Sequence, residues 1–304
     1  MRFTERDGRI LQAIQDYDGV LARRQIKQLF WPESSWRVLH RRLAYLHYHQ
    51  YIAKPDLEDR KVRPIPEPVV WLDWRGALQV AGQNGLKVEP PNKDNENQLR
   101  KLERELHKAE MRWLREPLWS QLSHDLHLVD IRLRLEYSAG QHPDLVLEEW
   151  VNESDFRSRL DTVSVKSGQG GREKKRGVIP DGSFVVSDLA RKREGKPHRA
   201  RFLLEVDMAT HDHANFGRRK AIPGAAYISS DAYHVRFGSN TGRWLVVTTG
   251  EVRMKNLAHQ IECEVSERKN LFVLTTNEQF IKSDPLVDAI WWRAGDDTAK
   301  SLLR

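Results

Sequence analysis

The apolar positions of the first fifty residues recur at helical spacing. Ile10, Leu11, Ile14 and Tyr17 form one stripe behind a Thr4 N-cap, with Glu5 and Asp7 in the first turn, and Gly19 ends it. Ile26, Leu29 and Phe30 predict a short second helix over about Ala22 to Phe30. Beyond Pro32, Trp36, Leu39, Leu43 and Leu46 predict a third, opening at Ser34 or Ser35 and running to about Gln50. The pattern then changes. Tyr51–Ala53 and Val69–Leu72 read as two strands around a charged loop that carries Arg60, Lys61 and Arg63.

Gly82 to Asn95 is polar and rich in helix breakers, which places a domain boundary near residue 82. Asn97 to Arg115 reads as an amphipathic helix through Leu99, Leu102, Leu106, Ala109 and Trp113. It is either a connecting or dimerising helix or a cover on the second core. Leu118 to Tyr137 fits a helix better than a strand by its length. Strands are expected at Leu145 to Val151, Gly182 to Val186, Phe202 to Asp207, Trp244 to Thr249 and Leu271 to Thr275, with a helix at Leu257 to Val265. Between them lie a basic glycine-rich loop, Lys166 to Gly177, and a second basic loop, Arg191 to Arg201. The expected order is α-β-β-β-α-β with an α-β extension, a mixed α/β (α+β) layout. The domains expected are 1–82, a linker with connecting helix 83–117, and 118–304.

The third helix carries a second signal. Its polar face holds Arg37, His40, Arg41, Arg42 and His47, and no acid occurs from Ser34 to Gln50. Three helices followed by a β-hairpin is the winged helix-turn-helix order, in which the third helix enters the major groove and the wing touches the backbone. An acid-free basic face suits phosphate contact, so double-stranded DNA is the expected partner. The alternatives are a winged helix used for protein contact and a basic helix in an unrelated fold.

Net charge is +7 and 31% of residues are charged, which agrees with a polyanionic partner. One cysteine, Cys263, excludes an internal disulfide framework and fits a reducing cytoplasm, where it reads as a small buried apolar residue. The expected compartment is the cytoplasm, since no signal peptide and no membrane-spanning run is legible. No P-loop and no nucleophile elbow occurs, which disfavours an ATPase or a serine hydrolase. His124-x-x-His127 and His211-Asp212-His213 lack a third zinc ligand at identifiable spacing.

The second half offers carboxylates. In Phe202 to Asp207, period-2 alternation puts Glu205 and Asp207 on one face, and Pro180-Asp181 opens a neighbouring strand. Three such oxygens suit Mg²⁺, a hard cation that serves phosphate chemistry. The alternative is that they pair with arginines on a solvated face.

These residues, in this order, resemble the replication-relaxation family of plasmid and mobile-element proteins. The likeness runs from Thr4-x-x-Asp7 through His124-Asp125-Leu126, Pro180-Asp181 and Glu205-Val206-Asp207 to Asp288-Ala289-Ile290-Trp291. The second half also resembles the PD-(D/E)xK nuclease fold. That likeness implies Asp181 and Glu205 as Mg²⁺ ligands, with Asp207 standing where the usual lysine belongs and Lys220 on the following helix as its replacement. It implies a DNA-binding protein of a mobile element, acting in plasmid replication or relaxation, transposition or regulation. Without a working lysine the nuclease-like domain is expected to dock DNA or replication and transposition partners without cutting. The alternatives are an active Mg²⁺-dependent endonuclease or nickase and a winged-helix transcriptional regulator. A second copy of the chain, in a homodimer, is a further expected partner. Arg172, Lys174 and Lys175 in the basic loop join Arg37, His40, Arg41, Arg42, Arg60, Lys61 and Arg63 as expected DNA contacts.

Overall fold

The computed structural model describes residues 2–63, 65–166, 173–210 and 212–303. The chain is mixed α/β and divides into two compact units, Met1–Asp130 and Ile131–Arg304.

In the first unit α1 (Glu5–Asp16) is followed by β1 (Val20–Ala22), α2 (Arg23–Phe30), α3 (Trp36–Tyr48) and β2 (Ile52–Ala53). Then come α4 (Leu57–Val62), β3 (Val69–Leu72), α5 (Trp74–Gln83) and α6 (Glu96–Lys108). The strands form one antiparallel sheet in the order β1-β3-β2, with Leu21 opposite Val70 and Ile52 opposite Leu72. The turn into β1 needs two left-handed residues, Asp18 at φ 66° and Gly19 at φ 100°, which is the conformational reason for a glycine there. The core is the expected one along α1 and α3: Ile10, Leu11, Ile14, Leu39 and Leu46 are fully buried.

Three local expectations change. Val20–Ala22 is a strand, so the second helix starts at Arg23 and not at Ala22; three residues are too few to reveal a period. Arg60 and Lys61 sit on the short helix α4, capped by Asp56, and not in an open loop. Trp36 leaves the buried face of α3 and is 46% exposed.

Thr4 caps α1 in a reciprocal arrangement: its backbone N–H and hydroxyl both donate to the Asp7 carboxylate, at 2.6 and 2.7 Å. The Arg42 guanidinium closes on the same carboxylate with two groups and stacks over Tyr45. Burial alone would raise the Asp7 pKa, but Arg42 and Thr4 hold it below its ordinary 3.8. This pairing is therefore present in full above that value and is lost as pH falls through the lowered one. Asp7 is completely buried, so Arg42→Met strands an unpaired charge and is expected to destabilise the unit by about 3 kcal/mol. Thermal melting checks this: Arg42→Met should melt lower than the parent, and adding Asp7→Asn should recover part of the loss.

The dividing point between the units falls inside α7 (Leu122–Gln141). The second unit continues with β4 (Leu145–Asn152), α8 (Glu153–Ser158), β5 (Asp161–Lys166), β6 (Glu173–Val178), β7 (Gly182–Asp188), α9 (Leu189–Arg193) and β8 (Arg199–Asp207). Next are α10 (His213–Phe216), a single π-helical turn (Gly217–Ala221), α11 (Ile222–Ile228), α12 (Asp231–Phe237), β9 (Arg243–Thr248), α13 (Glu251–Glu264), β10 (Phe272–Thr276), α14 (Asn277–Lys282) and β11 (Trp292–Arg293). Six strands make one sheet in the order β11-β10-β9-β8-β7-β4. β4 pairs with β7 and β7 with β8 antiparallel, β8, β9 and β10 are parallel, and β11 returns antiparallel.

Leu203, Val246 and Leu274 face a core completed by Phe216, Ala225 and Leu257 from the helices after β8. β5 and β6 form a separate antiparallel hairpin whose root, Val163 and Val178, enters that core. Part of the stretch expected as a basic loop, Glu173 to Gly177, is thus strand. Its outward residues carry no apolar alternation, so the strand left no signal. Cys263 is exposed on α13 and not buried.

Candidate functional site

The acidic site is built by the meeting of two strands. β7 and β8 pair with Gly182 opposite Leu204, and the Asp181 N–H donates to the Leu204 carbonyl at 2.9 Å. Continuing that register by one residue sets Asp181 opposite Glu205, and residues directly opposite in an antiparallel pair project to the same face. The Val206 N–H donates to the Asp181 carboxylate at 2.6 Å, fixing its orientation. Both acids are buried, Asp181 at 5% and Glu205 at 7% exposure.

Lys220 reaches the pair from the helical segment after β8. Its ammonium donates to Glu205 Oε2 at 2.8 Å. The segment is helical despite Gly217 and Pro223, because Pro223 occupies the first turn of α11, where its missing N–H is not required. The preceding turn widens to π geometry, with the Ile222 N–H reaching back to the Gly217 carbonyl. Burial would lower the Lys220 pKa, but the charges of Glu205, Asp181 and Glu153 together raise it well above its ordinary 10.5. The ammonium is therefore charged at any physiological pH, which suits a donor to an anion and not a general base.

Asp207 is placed differently from expectation. It shares the face of Glu205 but is held by Arg253 through two 2.9 Å hydrogen bonds and by the Thr248 hydroxyl at 2.6 Å. Burial would raise its pKa; Arg253 and Thr248 lower it instead. Expected as a catalytic or metal-binding carboxylate, Asp207 sits instead in an ion pair that ties β8 to α13. Arg253→Met should accordingly lower the melting temperature, and Arg253→Met/Asp207→Asn should regain part of it, since the second change removes the stranded charge. The residue missed is Glu153, at the first position of α8, whose charge acts on Lys220 and which pairs with Arg157 at 2.5 Å. A lone acid after a strand offered no spacing that could have singled it out.

Asp181 and Glu205 present hard oxygen donors on one face, buried, with a permanent positive charge beside them. That donor set fits a divalent cation of the Mg²⁺ class. Burial lowers the His127 pKa. His211 lies outside the described residues.

The basic residues separate into two groups. On α3, Arg37, His40 and Arg41 are exposed on one side, next to Ala44 and Tyr48. Arg42, expected as a DNA contact, turns inward onto Asp7 and makes a structural contact instead. Arg60 and Lys61 are exposed on α4, with Lys61 2.8 Å from Glu58. Arg63 is also exposed, lying 3.8 Å from Asp59 and over the Trp119 ring. Sequence reading passed over Arg23, whose charge is disfavoured by burial and then by Arg60. Lys174 and Lys175 are exposed on β6 and Arg172 lies outside the described residues.

The profile of the replication-relaxation family matches residues 11–233. The chain belongs to the replication-relaxation family. The match takes in both units, with Asp181, Glu205 and Lys220 inside it; Thr4-x-x-Asp7 and Asp288–Trp291 lie outside the matched span. Membership associates the chain with replication of mobile elements. Neither the curated proteins nor the solved structures yielded a match to this chain. Among the described residues no helix is long and apolar enough to cross a membrane.

Proposed function

We propose that this replication-relaxation protein binds double-stranded DNA through its first unit and cleaves a DNA phosphodiester at Asp181, Glu205 and Lys220. The observation that carries the reading is the 2.8 Å contact of the Lys220 ammonium with Glu205, on the face shared with Asp181. It favours cutting over a purely docking role, because the lysine absent from position 207 is supplied by another element.

The element order and the β1-β3-β2 pairing of the first unit support a winged-helix reading, in which α3 would enter the major groove and the β2–β3 connection would be the wing. Exposed Arg37, His40 and Arg41 would contact phosphates and base edges, and Arg60, Lys61 and Arg63 the neighbouring backbone. Lys174 and Lys175, on the hairpin that leads into Asp181, would hold the strand being cut.

Asp181 and Glu205 would hold Mg²⁺. When bound, the ion supplies polarisation of the phosphoryl oxygen and activation of water near neutral pH. The Val206 N–H keeps the Asp181 carboxylate aimed into the site. Lys220, charged throughout, would donate to the phosphate oxygen on which negative charge builds. Isothermal titration of the full chain with Mn²⁺ tests the metal site. One ion should bind the parent and binding should be lost in Asp181→Asn; equal binding by both proteins would remove Asp181 from the site.

A further inference from the structure

At the opposite end of the strands from the acidic pair lies a cleft of about 440 Å³. Glu205 and Ala200 are five residues apart on β8, about 17 Å at strand rise, so the cleft and the acidic pair are separate sites. Phe202, Ala200 and Val186 form its apolar wall, and Leu302 and Leu303 close one side.

The charges around it are unequal. Arg199 and Arg201 also line the cleft, but they alternate to the other face of β8 and pair with Glu148 and Glu149. Arg243 does not. It neighbours Phe202 in the parallel ladder between β8 and β9 and is half-buried. Among the described residues its side chain has neither an ion pair nor a hydrogen bond. Burial and the nearby Arg293 both disfavour its charge. Arg191 and His198 stand at the same cleft, and among the described residues the side chain of each bonds only to a backbone carbonyl, Pro197 at 2.8 Å and Lys196 at 3.3 Å. The single lining carboxylate, Asp188, already accepts the Arg191 N–H at the start of α9.

A half-buried cation without an ion-pair partner is unfavourable, and an anion in the cleft would relieve it. The volume exceeds what one phosphate fills and lies in the range of small-molecule sites, with apolar surface for the remainder of the ligand. We propose that this cleft binds a nucleoside monophosphate group, its phosphate on Arg243, Arg191 and His198 and its nucleoside against the apolar wall. The group comes either as a free nucleotide or as the phosphorylated end of a DNA strand. The inference is independent of the winged-helix and cleavage readings.

Thermal-shift and calorimetric titrations of the full chain test it, using inorganic phosphate, thymidine, thymidine monophosphate, and short oligothymidylate with and without a 5′-phosphate. Thymidine monophosphate should bind and stabilise, and thymidine should do neither. Arg243→Met should weaken binding at least tenfold while melting, without ligand, at or above the parental temperature. Arg191→Gln, at an exposed position outside the core, should weaken it severalfold and serves if Arg243→Met fails to fold. Binding of the phosphorylated oligonucleotide without the free nucleotide would assign the site to strand ends. Thymidine binding as well as its monophosphate, phosphate alone binding equally well, no binding by any probe, or parental affinity in the foldable variants would overturn the proposal.

Discussion

Lys220→Met is expected to slow metal-dependent DNA cleavage by about 10² or more, the usual loss when one donor aimed at a developing negative charge is removed. The effect is large because Lys220 is the cation whose contact with Glu205 the structure records, and because its raised pKa keeps it charged in the resting protein. Duplex affinity should change little, since Arg37, His40 and Arg41 lie in the other unit. Lys220→Arg keeps the charge and should retain part of the rate. The pH profile distinguishes the two roles open to a lysine. A general base would add a rise with pH that Lys220→Arg abolishes; a charged donor leaves any rise to the metal-activated water, so that it persists in Lys220→Arg. Single-turnover rates from pH 6 to 9 on one radiolabelled substrate give both readings, and a rise that vanishes in Lys220→Arg would reverse the assignment. The sign of the stability effect follows the same pKa. The Lys220 contribution is complete below its ordinary value and fades as pH climbs through the raised one.

Arg37→Ala/Arg41→Ala should weaken duplex binding by well over tenfold at moderate salt. Each lost phosphate contact should flatten the plot of log affinity against log salt by about 0.9. Arg42 does not belong in this variant, because its guanidinium supports the buried Asp7 and its removal would confuse folding with binding. The double variant should melt at the parental temperature, since both residues are exposed and neither has a resolved partner in the core. Fluorescence anisotropy across a salt series measures both quantities. Unchanged affinity and slope would dissociate α3 from DNA.

How much of this was legible in the chain varies with the range of the interactions. The α1 and α3 stripes, the Thr4 cap and the face shared by Glu205 and Asp207 depend on residues two to four apart, where periodicity speaks directly. The alignment of Asp181 with Glu205 depends on the register of two strands, which alternation alone leaves open by one residue. The partner of Asp207, Arg253, stands 46 positions away on α13, beyond the reach of any local pattern. Arg42 was grouped with Arg37 and Arg41 by composition, yet one helical position turns it toward Asp7. β1 and β6 escaped for different reasons, the first too short to have a period and the second exposed along nearly all of its length. Lys220 was reached only through the family resemblance, as nothing in its own neighbourhood points to a strand 15 positions earlier.

The central claim is best tested by incubating supercoiled plasmid with the full chain and Mg²⁺, beside Asp181→Asn and an EDTA control, at protein concentrations that saturate DNA binding. The account predicts nicked or linear product from the parent alone, none in EDTA, and a loss of about 10² or more in Asp181→Asn at unchanged DNA affinity. Saturated binding by the parent with no cleavage in Mg²⁺ or Mn²⁺, or equal cleavage by Asp181→Asn, would contradict it.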